Sequence, residues 1–231
     1  MRLMQRFGMT VPFDGPQLHE QRDRFERLER LGYTDLWTAE AMGADGLTPL
    51  TLGAVWTPSM RLGTAILPAY TRGPALLAQS VAGLASAAPG RFVLGIGSSS
   101  NVIVERWNGI PFEKPFQQTR DMVRFLKAAL GGEKVTETYD TFDIKGFRLG
   151  LVPEQPVPIL VAALREGMLR MAAEKATAPS STGCRPITPP PCRASSGRKI
   201  PMPRSSPGCS SPRRRIPSRP DRWASSLQLP T

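Results

Sequence analysis

The chain has 231 residues and a formal charge of +11, from 30 Lys and Arg against 19 Asp and Glu, with one histidine and three cysteines. That charge would ordinarily point to a polyanionic partner. It is unevenly placed: residues 176–231 hold 10 basic side chains against one acid, which leaves 20 against 18 in residues 1–175 and excludes a uniformly basic domain.

Taken in chain order, Arg6–Val11 reads as a first strand with Pro12–Pro16 as its exit loop. Leu18, Phe25, Leu28 and Leu31 line one face of a charged helix that stops at Gly32. Tyr33–Trp37 is a second strand, and Thr48–Pro49 supplies an N-cap and first position for a short helix ending before Pro58. Arg61–Leu67 is a third strand, closed by Pro68. Gly73–Pro74 then opens a helix with Leu76, Leu77, Ser80, Val81 and Leu84 on its inward stripe, broken at Ala88-Pro89-Gly90. Phe92–Ile96 is a continuous apolar run, as expected of a strand buried on both faces of a parallel sheet. Asn101–Trp107 reads as a helical turn, and the loop NGIPFEKP follows. Phe116–Leu130 is a long amphipathic helix with Val123, Leu126 and Leu130 inward and Gly131-Gly132 as its stop. Lys134–Leu151 alternates in the manner of a hairpin, Val157–Val161 is a fifth strand, and Arg165–Lys175 begins its helix.

Alternating strands and helices of this kind place ligands at the carboxyl ends of the strands. The third strand ends at Ala65-Ile66-Leu67 and the fourth at Gly95-Ile96-Gly97-Ser98-Ser99-Ser100, before Asn101. Gly97 permits close backbone approach, and successive N–H groups with Ser hydroxyls before a helix form an anion site. As a bare pattern Gly-x-Gly-Ser also occurs in ordinary strand exits.

The segments LGTAIL, PALLAQSVAGLA and GRFVLGIGSS, preceded by LERLGYTDLWTAEA and followed by GIPFEKPFQQTRDMVRFLKAAL, resemble the luciferase-like monooxygenase superfamily. The branch they are most similar to is its deazaflavin-dependent oxidoreductases, which use coenzyme F-420 (8-hydroxy-5-deazaflavin). The resemblance spans roughly Arg6 to Lys175 and implies an α/β fold, a TIM (β/α)₈ barrel holding its cofactor in the upper mouth. It also implies a non-prolyl cis peptide at Ala65–Ile66, and cofactor contacts through Ala65, Ile66, Leu67, Gly97, Ser98, Ser99, Ser100 and Asn101. The implied activity is hydride transfer between the reduced deazaflavin and a small organic substrate, in a family commonly homodimeric. An FMN-dependent monooxygenase of the same superfamily is the alternative cofactor reading.

Two positions depart from the sugar-phosphate dehydrogenase branch. It carries Asp-His where this chain has Ala39-Glu40, and Glu where this chain has Ser100; both departures argue against sugar-phosphate oxidation. Glu40 is left as a candidate acid/base or orienting group, with a solvated or capping carboxylate as the competing reading. His19, the only histidine, falls on the polar side of the first helix, so Ser-His and Cys-His catalysis are excluded. No metal-ligand cluster is present in the sequence, and Trp37, Trp56 and Trp107 read as core or rim packing.

Only about five of the eight βα units of a closed barrel are recognisable, so the expectation is an incomplete barrel over residues 1–175 followed by a disordered basic tail. Residues 176–231 contain 12 of the 24 prolines, all three cysteines and no apolar periodicity. Their abrupt onset is read as a frame error. One set of codons for Ala178–Cys184, regrouped with a one-base offset, reads Ala-Ile-Ile-Asn-Trp-Leu, which is similar to the family's sixth strand. The gene sequence around codon 176 tests this. With both end strands uncovered, the chain is expected to be inactive and to aggregate or be degraded, and a sharp cooperative thermal transition would contradict that. A further alternative is a non-enzymatic basic protein binding polyanions through a tail that includes Arg213-Arg214-Arg215. The domain is otherwise expected to bind no specific nucleic acid. No run reaches the ~20 apolar residues of a membrane span, the N-terminus has no export signal, and Cys184, Cys192 and Cys209 match no zinc or redox spacing; a cytoplasmic location is expected.

Overall fold

A computed structural model of the protein describes residues 6–163, 166 and 168–170. The predicted tail, and most of the helix expected over Arg165–Lys175, lie outside the described residues.

Five parallel strand positions follow one another around a curved sheet. They are β1 (Gly8–Thr10), β2 (Asp35–Thr38), a third strand in two pieces, β3 (Arg61–Thr64) and β4 (Leu67–Pro68), then β5 (Phe92–Gly97) and β8 (Ile159–Val161). β1 pairs with β2, β2 with β3, both β3 and β4 with β5, and β5 with β8, all in parallel. The crossovers carry α1 (Arg22–Arg30), α2 (Thr48–Trp56), α3 (Pro74–Ala87) and α4 (Pro115–Leu130). An antiparallel hairpin, β6 (Val135–Thr138) and β7 (Asp143–Phe147), is inserted before β8. Sequential parallel order with covering helices is the arrangement of consecutive TIM-barrel units. Among the described residues β1 and β8 each have one strand partner, so the sheet has two open edges.

β5 is the centre of the sheet, and all six of its residues are buried. Outside it, Leu36, Leu62 and Phe25 meet at Gly53 of α2. Phe25 stands edge-on to Trp56, with ring centroids 5.3 Å apart. The inner face of β1 to β3 is filled differently. Asp35 and Trp37 share that face by strand alternation, and the Trp37 indole lies where a Cβ on Gly8 or Gly63 would come within 2.7 or 2.3 Å of it. Below Trp37, at the strand starts, Asp35 is buried and accepts hydrogen bonds from Arg6 at 3.0 Å, from Arg61 and from Thr34. Burial pushes the Asp35 carboxyl up, but the bonds from Arg6, Thr34 and Arg61 outweigh it and hold the group below the usual carboxylate range.

Local chemistry explains the helix ends. Gly73 caps α3 with Pro74 inside its first turn, as the sequence predicts. For α2 the acceptor is Asp45 rather than Thr48: its carboxylate takes the Leu47 and Thr48 amides at 2.8 and 3.1 Å. At the other end of α2, the Arg91 guanidinium donates to the carbonyls of Ala54, Thr57 and Met60.

Several expectations need correction. The first helix is broken into a 3₁₀ turn (Leu18–Glu20) and α1, because Gln21 turns inward to bond the Phe13 and Pro16 carbonyls and the Phe13 amide. Leu18 is therefore only half-buried, and Leu31, which caps α1 at its other end, is exposed. In α3 the buried face is Leu77, Ala78, Val81, Ala82, Leu84 and Ala85, rotated from the predicted one. Leu76 is exposed, and Ser80 bonds back to the Leu76 carbonyl. The third strand does close at Pro68, which is the last residue of β4 and pairs with Gly97, but it is broken between Thr64 and Leu67. The helical turn expected over Asn101–Trp107 is present, and over Val102–Trp107 it is π-helical.

Candidate functional site

The third strand is interrupted at its carboxyl end. β3 stops at Thr64, the Ala65–Ile66 peptide is cis, and pairing resumes as β4. Thr64 locks the interruption to β5: its hydroxyl donates to the Gly95 carbonyl and accepts from the Gly95 amide, both at 2.8 Å. The Ala65 amide donates to the Thr38 carbonyl at 2.6 Å and the Glu40 amide to the Ile66 carbonyl at 3.3 Å, which ties the same residues to β2. The Ala69 amide donates to the Gly97 carbonyl, and the Ala162 amide to that of Ile96. Three neighbouring strand ends are thus stitched together at one height.

A cavity of about 610 Å³ opens at this rim, lined by Ile66, Gly97, Ser98, Ser99, Phe112, Pro115, Phe116, Ala162 and Met168. Gly97 leaves the backbone bare: a Cβ there would sit 3.1 Å from Ala162 and 3.3 Å from Ile66 Cδ1. Ser99 adopts a left-handed backbone, φ 63°, where the chain turns out of β5. The opposite wall comes from the loop before α4. Tyr70 stacks on Phe112 at 5.3 Å and donates to the Glu113 carbonyl, and Gln118 Nε2 donates to the Ala69 carbonyl at 3.0 Å. Burial, with the Glu113 charge, pushes the Tyr70 hydroxyl up to about 12, so it stays a neutral donor.

Of the residues singled out from sequence, Ile66, Gly97, Ser98 and Ser99 line this cavity together. Ala65 is exposed beside it, whereas Leu67 is fully buried and packs at Gly46. Ser100 and Asn101 stand at the start of the π-helical segment, where the Ser100 carbonyl accepts from Val104. Glu40 is engaged by Arg72, Nη1 to Oε2 at 2.5 Å, with both side chains mostly buried. Phe112 and Phe116 were missed; their signal was the repeated Pro-Phe in IPFEKPF, where Phe112 reads as loop and Phe116 as the start of a helix until both are folded against the mouth. Among the described residues there is no group of three or more metal-ligating side chains, and no helix is long and apolar enough to cross a membrane.

The family model for the luciferase-like monooxygenases matches residues 4–183. The chain belongs to that family. It is similar to a 5,10-methylenetetrahydromethanopterin reductase of Methanolobus tindarius, 31% identical over 147 residues, which are 63% of this chain and 44% of the relative. It is also similar to a coenzyme F-420-dependent glucose-6-phosphate dehydrogenase of Kineococcus radiotolerans, 33% identical over 159 residues, 62% of this chain and 46% of the relative. Among solved structures, the coenzyme F-420-dependent tetrahydromethanopterin reductase of Methanopyrus kandleri superposes with a TM-score of 0.65 at 22% identity. That match covers 74% of this chain and 54% of the other. The chain thus aligns with about half the length of these relatives, and the part that aligns is an incomplete luciferase-like barrel.

Proposed function

We propose that this chain carries the cofactor-binding half of an oxidoreductase that moves hydride between reduced coenzyme F-420 and an organic substrate. The observation that carries the reading is the cavity wall, in which Ile66 of the interrupted strand faces the bare backbone of Gly97 and the Ser98-Ser99 turn. The residues fit a planar tricyclic ring with polar substituents. Ile66, Phe112 and Phe116 give it apolar faces, and the missing Cβ at Gly97 leaves room against the strand end. Relatives that use this coenzyme support the choice of deazaflavin over FMN. When bound, the deazaflavin supplies two-electron hydride chemistry and lacks a flavin's reactivity with oxygen.

The chain's own part is binding, orientation and exclusion of water. Ile66 and Ala162 support one side of the pocket, while the Phe112 loop, held by Tyr70 and Gln118, covers the other. The Ser98-Ser99 turn, which lines the cavity, holds the coenzyme's polar edge in this reading. In this reading Ala65, Leu67, Ser100 and Asn101 shape the rim. Glu40 orients it, because its carboxylate is directed at Arg72.

Titration with F-420 and with FMN of the enzyme repaired past codon 176, followed by fluorescence and oxygen uptake, tests the reading. Saturable deazaflavin binding is expected, weakened about tenfold or more by Gly97→Val, whose side chain would fill the pocket. Tight FMN binding with oxygen consumption, or no deazaflavin binding, would overturn it.

A further inference from the structure

The Arg72 guanidinium lies outside the cavity lining yet ties the loop between β4 and α3 to the loop between β2 and α2. Arg72 sits between β4 and α3 and is 15% exposed; Glu40, after β2, is 18% exposed. Its Nη1 donates to Glu40, and its Nη2 stands 3.5 Å from Asp45 Oδ1. Asp45 in turn holds the first amides of α2, so the pairing reaches a helix end as well. Glu40 reaches the cavity wall through its backbone, since its amide donates to the Ile66 carbonyl. That hydrogen bond is long, at 3.3 Å, and links residues outside any regular strand pairing, so a restraint on Glu40 would strengthen it. A charge-assisted, largely buried contact supplies one, because such bonds are stronger than neutral ones and little screened by salt.

We propose that Arg72 is a positioning residue for the cofactor cavity: by clamping Glu40 and Asp45 it fixes the loop after β2, and through the Glu40 amide it holds Ile66 in the wall. The inference rests on the cofactor reading above for its consequence, but the clamp itself belongs to the unliganded chain. Arg72 does not line the cavity, so its effect is expected in affinity and local protection rather than in the chemical step.

The test compares wild type, Arg72→Met and Arg72→Lys by hydrogen exchange of the unliganded chain and by F-420 titration. Loss of the pair should speed exchange of the Glu40 amide, and of the Leu47 and Thr48 amides that Asp45 holds, about tenfold, leaving β5 at its wild-type rate. Arg72→Met should weaken F-420 binding by about the same factor without lowering the melting temperature in proportion, and Arg72→Lys should restore part of both. Wild-type exchange across the rim in Arg72→Met overturns the proposal. So does equal loss of protection in β5 in both variants, because the residue would then support the fold as a whole. If wild type binds no F-420, the cofactor reading fails, and exchange at the rim alone still decides the clamp.

Discussion

Gly95→Ala should leave almost no soluble, protease-resistant protein. A Cβ at this position would stand 1.9 Å from the Thr64 carbonyl oxygen and 2.9 Å from its carbon, both backbone atoms in the centre of the sheet. Neither strand is free to retreat. β5 is buried along its whole length, and Thr64 is bonded to Gly95 through both its donor and its acceptor. Relief would require β3 and β5 to separate at the point where the third strand breaks. The expected cost is about 3 kcal/mol or more, beyond ordinary overpacking because the clash is with backbone, and it is a large fraction of a domain's net stability. Soluble yield and limited proteolysis read the effect. A variant that matched wild type in both would show that the strands are not this close.

Asp35→Asn should be the next most damaging change, and its cost should depend on pH. The carboxylate is buried among Arg6, Arg61 and Thr34, so neutralising it leaves two guanidinium groups without their counter-charge at the base of the sheet. Breaking a fully buried pair costs about 3–5 kcal/mol; with Arg6 46% and Arg61 29% exposed, about 2–4 kcal/mol is expected here. The Asp35 carboxyl lies lower in the folded chain than in the unfolded one. Its contribution is therefore fully present above the unfolded value of about 3.9 and is lost as pH falls through the folded value. Urea midpoints should show wild type and variant far apart at neutral pH and converging below about pH 4. A gap that stayed constant to pH 3 would place the stabilisation elsewhere.

The two positions differ in how far the sequence made them legible. The order of strands and helices could be read because β5 is one unbroken apolar run and because Gly73-Pro74 and Gly131 punctuate helices by local chemistry. Helix faces were less legible. In α3 nearly every residue is small or apolar, so periodicity alone could not separate the face carrying Leu76 from the one carrying Leu77. The inward turn of Gln21 was not legible either, since a polar side chain inside a charged helix gives no sign that it will bond three backbone groups.

The site divides in the same way. The Gly97-Ser98-Ser99 turn and the cis peptide at Ala65–Ile66 came from resemblance, and they meet at one cavity. The Asp35 cluster, the Trp37 indole over two glycines and the Arg72 clamp were invisible, because each joins residues distant in sequence that become neighbours only when parallel strands align. Parallel pairing is long-range by construction, so cross-strand contacts of this kind leave no local pattern.

A crystal structure of the chain soaked with F-420 tests the central claim most directly. The deazaflavin ring should lie between Ile66 and the Gly97-Ser98-Ser99 turn, under Phe112, at the carboxyl ends of β4, β5 and β8. A ring bound at the opposite end of the strands, or density confined to the surface away from Gly97, would contradict it.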